Sequence, residues 1–219
     1  MSRVITIDGP AASGKTSVSR ELAKRLGWNW VSTGAFYRGL AFCAHTAQID
    51  FDDEKALVQF AQSDRWKVEM DQDLTRVFLD DQDVTEKINH ESIGSYASKV
   101  SHFPKVREAL LKPQRDCATK VNGLVAEGRD CGTVVFPTAE VKIYLTAKQE
   151  NRAERRAKEL GLSTEETVQA QVQRDHQDST RKAAPLSVPE NALVVDTTEL
   201  GFVEVVDLIE KFVRKHLKK

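Results

Sequence analysis

No apolar run in this chain approaches the roughly 20 residues needed to cross a bilayer. Membrane partnership is therefore not expected. Cysteine is scarce: Cys43, Cys117 and Cys131 are odd in number and far apart, which supports neither a disulfide framework nor a zinc site and suits a reducing compartment. Charge of one sign is also lacking, with 33 acidic residues against 32 basic. The overall field thus gives no reason to expect a nucleic-acid partner, and any phosphate must be held locally. Internal repeats and low-complexity tracts are absent. The Met1-Ser2-Arg3 start runs straight into a strand pattern where a signal segment would place its apolar stretch, so an untargeted, cytoplasmic chain is expected, working as a monomer. At 219 residues one main domain is expected.

What is present is alternation. Val4-Ile5-Thr6-Ile7 reads as a strand, followed by a helix from about Lys15 to Leu26 whose apolar residues Val18, Leu22 and Leu26 recur every fourth position before Gly27 stops it. Further strands are predicted over 28–31, 124–126, 141–145 and 192–195. Strands alternating with helical patterns predict an α/β fold, a parallel sheet covered by helices on both faces. Two stretches depart from the pattern. Between Trp66 and Val84 apolar and polar residues alternate around Asp71-Gln72-Asp73 and Asp80-Asp81, which predicts small antiparallel hairpins in an inserted lobe. Residues 151–182 carry a charged helix, Gly161, and a second helix opened by the capping box Ser163-Thr-Glu-Glu166. With few large apolar residues, that stretch is expected to be a mobile helical hairpin over the sheet edge.

Gly9-x-x-x-x-Gly14-Lys15-Thr16 lies between the first strand and the first helix, the setting a Walker A phosphate loop requires. Its glycines let successive N–H groups turn inward, and the helix start adds the positive end of its dipole. Lys15 can bridge β- and γ-phosphate oxygens, and the Thr16 hydroxyl is placed to ligate Mg2+. The ATP site is assigned to Gly9, Pro10, Ala11, Ala12, Ser13, Gly14, Lys15, Thr16 and Ser17. No Asn-Lys-x-Asp motif is present, against a GTPase, and the chain is short for a motor. A small-substrate kinase remains, and it must neutralise several phosphates in a closed, water-poor pocket. Arginine suits that work, being forked and always charged. Candidates are Arg38 on the helix after the second strand, Arg107, Arg129 just past the end of a sheet strand where ligands of open sheets bind, and the set Arg174, Asp178 and Arg181, which shares one helix face.

At these residues the chain resembles the bacterial cytidylate kinases. The resemblance covers nearly the whole sequence, in Val4-Ile-Thr-Ile-Asp-Gly-Pro10, Thr33-Gly-Ala-Phe-Tyr-Arg38, Phe103-Pro-Lys-Val-Arg-Glu-Ala-Leu-Leu111, Gly128-Arg-Asp-Cys-Gly-Thr-Val-Val-Phe-Pro137 and Arg181-Lys-Ala-Ala-Pro-Leu186. It implies a five-stranded parallel P-loop kinase core in a single domain, 1–219. Within it would lie a monophosphate-binding insert over 39–105, with a small antiparallel sheet, and a helical lid over 151–182. The implied reaction is ATP- and Mg2+-dependent phosphorylation of CMP and dCMP to CDP and dCDP, in pyrimidine nucleotide metabolism. The resemblance further implies that Lys15, Arg129, Arg174 and Arg181 are catalytic. Arg38, Arg129, Arg174 and Arg181 would clamp the transferred phosphoryl and the acceptor phosphate, Ser98, Arg107 and Asp130 would read the base, and Asp178 would hold the sugar. Tyr37 falls in the same acceptor motif. Thr33 stands where the family often has serine and is kept as a weaker contact. Glu127 replaces an expected aspartate and receives no role.

Chemistry supports the base assignment independently. Cytosine offers acceptors at O2 and N3 and a donor at its 4-amino group, matching a forked donor such as Arg107 and an acceptor such as Asp130, whereas uracil reverses the pattern at N3 and O4. Blander readings stand beside these. Arg152, Arg155 and Arg156 fit a solvated helix face as well as contacts to ATP. Trp28, Trp30 and Trp66 read as packing residues, the five histidines lack ligand spacing, and Cys131 reads as a small packing residue. Rival functions are a P-loop kinase for shikimate or another monophosphate, and a regulatory module that holds ATP without turning it over. The acceptor-side arginines argue against the second.

Overall fold

The computed structural model describes residues 3–71, 74–161, 163–181 and 183–217, without the side chains of 91, 159, 160, 164–167, 169, 170, 173 and 174. Each of the five strand patterns becomes a strand of one parallel sheet. β1 (Arg3–Asp8) lies at its centre, flanked by β6 (Gly123–Gly128) and β7 (Val141–Thr146), with β2 (Asn29–Ser32) and β8 (Leu193–Asp196) at the edges, in the order β2-β6-β1-β7-β8. All of β1 beyond Arg3 and all of β6 are buried, as expected for central strands covered on both faces.

Alternation along each strand divides the interior into two cores. Ile5, Ile7, Val125, Ile143 and Leu145 face α1 (Lys15–Leu26) and α8 (Phe202–Leu217), where Val18, Leu22, Val206 and Ile209 cover them. Val4, Val31, Leu124 and Ala126 face the opposite way, under α2 (Thr33–Thr46), α3 (Glu54–Ala61), α4 (Glu91–Val100) and α5 (Pro104–Thr119). Gly27 ends α1 in the left-handed region at φ 67°, the conformation that makes glycine a helix stop.

The inserted lobe is a three-stranded antiparallel sheet of β3 (Trp66–Met70), β4 (Thr75–Leu79) and β5 (Gln82–Asp83). Asp80 and Asp81 turn the second hairpin at φ 46° and 62°, the two positive values that a tight primed turn needs. Gln72 and Asp73 of the first turn-rich group lie outside the described residues. Trp66, Val77 and Leu79 are buried against α2. A Cβ added at Gly39 would stand 2.9 Å from Val77 Cγ1, so the helix lies as close to the small sheet as its backbone permits. The tryptophans pack, as expected: Trp30 Nε1 donates to Ser19 Oγ, Trp66 Nε1 to Phe60 O, and Trp28 covers Gly123. The charged segment forms α6 (Gln149–Leu160) and α7 (Thr164–Thr180), joined through Gly161 at φ 67°. None of the described helices is long and apolar enough to cross a membrane.

Candidate active site

The phosphate loop leaves β1 by a turn that only glycine fits. Gly9 has φ 151°, and a Cβ there would stand 2.1 Å from Leu145 O on the neighbouring strand. Ala12 and Gly14 also take positive φ, 55° and 87°, curling the loop before α1 begins at Lys15. Gly9→Ala is expected to cost about 1–3 kcal/mol of stability from backbone strain and to weaken ATP binding. Denaturant unfolding checks it, and an unchanged midpoint would show that the loop adjusts without cost. Lys15 is 8 % exposed. Its Nζ donates to Pro10 O at 2.5 Å.

Beside the loop, α5, the segment just beyond β6 and the end of α7 bring basic and acidic side chains into one file. Arg107, on the first turns of α5, pairs with Asp130, just beyond β6; both are buried. Arg107 also donates to Ser101 O at 3.3 Å and lies over the Tyr37 ring, 5.2 Å from its centroid. Arg181, one residue past α7, holds Nη2 4.0 Å from Asp130 Oδ1 and Nη1 3.4 Å from Asp178 Oδ1. Arg129 Nε reaches Asp178 Oδ2 at 2.8 Å, and its Nη1 donates to Gly9 O at 2.9 Å. Signs therefore alternate from Arg107 through Asp130, Arg181, Asp178 and Arg129 to the phosphate loop. Among the described residues Arg181 Nη2, though buried, has no hydrogen-bond partner, a cationic donor that an anion would satisfy. Burial, then the Arg107 guanidinium, pulls the Arg181 pKa down.

Residues 5–215 match the family described as cytidylate kinase. The cytidylate kinase of Bdellovibrio bacteriovorus is 64% identical over 217 residues, covering 99% of this chain and all of that protein. Those of Colwellia psychrerythraea and Aeromonas salmonicida are 45% and 41% identical, covering 95% and 99% of this chain and 95% and 96% of theirs. The chain belongs to the cytidylate kinase family. It is accordingly a nucleoside monophosphate kinase, a transferase. Among solved structures, a gluconokinase from Sinorhizobium meliloti aligns with TM-score 0.53 at 13% identity, covering 99% of this chain and 94% of that one, a likeness of fold alone.

The other members of the expected set are found as follows. Arg38 follows Tyr37 on α2. Ser98 Oγ donates to Gln177 Oε1 at 2.7 Å, joining α4 to α7. Thr33 is buried, and its hydroxyl donates to Glu127 O at 3.0 Å, so it ties α2 to β6. The side chain of Arg174 lies outside the described residues. Arg152 and Arg155 depart from a solvated face: Arg152 is buried, donating Nε to Ala147 O and Nη1 to Ala11 O, both at 3.1 Å, and Arg155 holds Thr197 O at 2.7 Å. The three cysteines are free and buried, and burial holds the Cys131 thiol far above its ordinary pKa, as a packing residue requires. Among the described residues no group of three or more His, Cys, Asp or Glu is arranged for a metal ion.

Two acids were missed by sequence reasoning. Glu127, next to last on β6, is buried and accepts from Ser32 Oγ at 2.5 Å and Thr16 Oγ1 at 3.4 Å. Asp8, the last residue of β1, accepts the Cys131 and Gly132 N–H groups at 2.8 and 2.7 Å, and so sets the π-helical turn Cys131–Val135 beside the phosphate loop. Burial raises the Asp8 carboxyl to about 6 in spite of those two donors. A positional hint exists only for Asp8, an acid ending a buried strand beside the phosphate loop, and it points to burial without naming the partners.

Lys15 is shifted the other way. Burial, then the Arg129 charge, pulls it from 10.5 to about 7, against the opposing pull of Glu127 and Asp8. Between about pH 7 and its unfolded value the unfolded chain binds the extra proton, so this group makes the fold more stable as pH rises through that window. ATP binding moves oppositely, because the phosphates need the ammonium. The Kd for ATP is expected to rise from about pH 7 to about pH 9 and to stay flat in Lys15→Met. A parallel rise in both proteins would place the titration elsewhere.

Proposed function

We propose that this chain transfers the γ-phosphoryl group of ATP to CMP and dCMP by direct in-line displacement. What carries the reading is the file of alternating charge, which begins at a paired donor and acceptor suited to cytosine and ends on a Gly9 carbonyl in the phosphate loop. Two nucleotides bound at its ends face each other through their phosphates.

Each residue then has one task. Arg107 uses one nitrogen on Asp130 and one on Ser101 O, leaving donors for O2 and N3 of cytosine. Asp130 accepts the 4-amino group, Ser98 supports the base, and Asp178 takes the sugar. Arg38, Arg129, Arg174 and Arg181 neutralise the acceptor phosphate and the group in flight. Lys15 spans the β- and γ-phosphates while the loop N–H groups hold the β-phosphate. The acceptor oxygen is already anionic, since a second phosphate pKa lies near ~6. It needs alignment and charge neutralisation, not a general base or a covalent enzyme intermediate. The helices over 151–182 act as the lid that excludes water from ATP.

The residues present fit Mg2+, since the Thr16 hydroxyl stands 3.4 Å from the Glu127 carboxylate and such oxygen donors suit a hard cation. The ion would neutralise charge between the β- and γ-phosphates. Incubation with ATP and CMP, with products separated chromatographically, tests the reading. ADP and CDP are expected in equal amounts, whereas ATP consumed without CDP would refute it.

A further inference from the structure

α7 places Asp175 and Asp178 three residues apart, on one helix face. Asp178 reaches the phosphate loop through Arg129, which donates to Gly9 O. Asp175 repeats the arrangement one turn earlier. Its Oδ2 lies 2.7 Å from Arg152 Nη1, and that nitrogen donates to Ala11 O at 3.1 Å. Two carboxylates on the lid thus reach two carbonyls of the same loop, each through one arginine. Arg152 is further held by Ala147 O at its Nε, and its own carbonyl accepts from Gln171 Nε2 at 3.1 Å.

The Arg152 side chain is 8% exposed and that of Asp175 23%. Carbonyl dipoles alone do not balance a buried guanidinium; a hydrogen-bonded counterion does. Removing that counterion leaves Arg152 free to swing toward water and releases the Ala11 carbonyl. The peptide beyond Ala11 carries the Ala12 N–H, antiparallel to that carbonyl across a trans peptide, so holding one aims the other. Asp178 is shared with Arg181 on the acceptor side, whereas the Asp175 pairing leads to the donor loop.

We propose that Asp175 is a positioning residue for the ATP site: acting through Arg152, it seats the lid on the phosphate loop and fixes the loop backbone at Ala11. The inference rests on the loop being the ATP site. Asp175→Asn is expected to raise the KM for ATP by about fivefold or more while the KM for CMP stays within about twofold, with little change in Tm because Asp175 is partly solvated. Because Asp175 acts through Arg152, the double variant Arg152→Met/Asp175→Asn is expected to bind ATP no more weakly than Arg152→Met alone. An unchanged KM for ATP in Asp175→Asn, equal rises for both substrates, or losses that add in the double variant would each overturn the proposal. The ATP Kd of all four proteins, measured by calorimetry without CMP, keeps two failures apart. A wild type that makes no CDP refutes the acceptor reading, while the role of Asp175 still stands or falls on those dissociation constants.

Discussion

Replacing Lys15 with alanine is expected to lower turnover of ATP and CMP by at least about a hundredfold with the fold intact. The size follows from what the ammonium does: a preorganised charge aimed at charge developing in the transition state contributes about 2.7–4 kcal/mol in comparable sites. Lys15 is enclosed by the loop and bonded to Pro10 O, with Glu127 and Asp8 supplying negative charge nearby, and alanine places no charge there. Stability argues in the opposite direction. Burial already pulls Lys15 to about 7, which means the folded state holds its proton less well than the unfolded chain. Losing the group should leave Tm unchanged or raise it. Steady-state rates beside a thermal melt check both halves. Near-normal turnover would remove Lys15 from the transfer step, and a collapsed melt would make it structural.

Arg107→Met is expected to erase most of the preference for CMP over UMP, by at least about tenfold, because methionine offers neither O2 nor N3 a donor. The same change breaks a buried ion pair. Loss of one partner of such a pair costs about 3–5 kcal/mol, relieved here by Arg181 at 4.0 Å from Asp130 Oδ1. A lowered melting point is therefore part of the prediction, and selectivity is to be measured well below it. The Tyr37 ring beneath the guanidinium gives a flat apolar bed that methionine can still occupy, which favours a folded variant. Unchanged selectivity in that folded variant would refute Arg107 as the base reader. A loss confined to kcat, equal for both bases, would transfer its role to phosphate binding.

Much of this architecture was legible because local chemistry and tertiary structure agree. The helix from Lys15 stops at Gly27 since the left-handed turn there suits glycine, and the Asp80-Asp81 hairpin forms where two residues tolerant of positive φ adjoin. The loop was readable as soon as Gly9 and Gly14 fell between a strand and a helix. Glu127 and Asp8 were not. Their importance comes from strand order: β6 beside β1 brings Glu127 next to Thr16, and Asp8 under the turn after Arg129, and no sequence spacing encodes a neighbour more than a hundred positions away. The π-helical turn at Cys131–Val135 escaped for the same reason, since its geometry depends on the Asp8 carboxylate. Thr33 was kept as a weaker substrate contact for its hydroxyl, and what the strand order adds is that this hydroxyl donates to Glu127 O. Arg152 and Arg155 were left between surface and site; the structure buries Arg152 against a main-chain oxygen of the loop and leaves Arg155 half-buried on one of the segment after β8.

The assignment of cytosine rests on Arg107 and Asp130 together, and one set of rates addresses it directly. Initial velocities with CMP, dCMP, UMP and AMP at a single ATP concentration should place CMP and dCMP far above the other two. Comparable or faster phosphorylation of UMP or AMP would contradict the account, because the Arg107–Asp130 pair would then not be what selects the base.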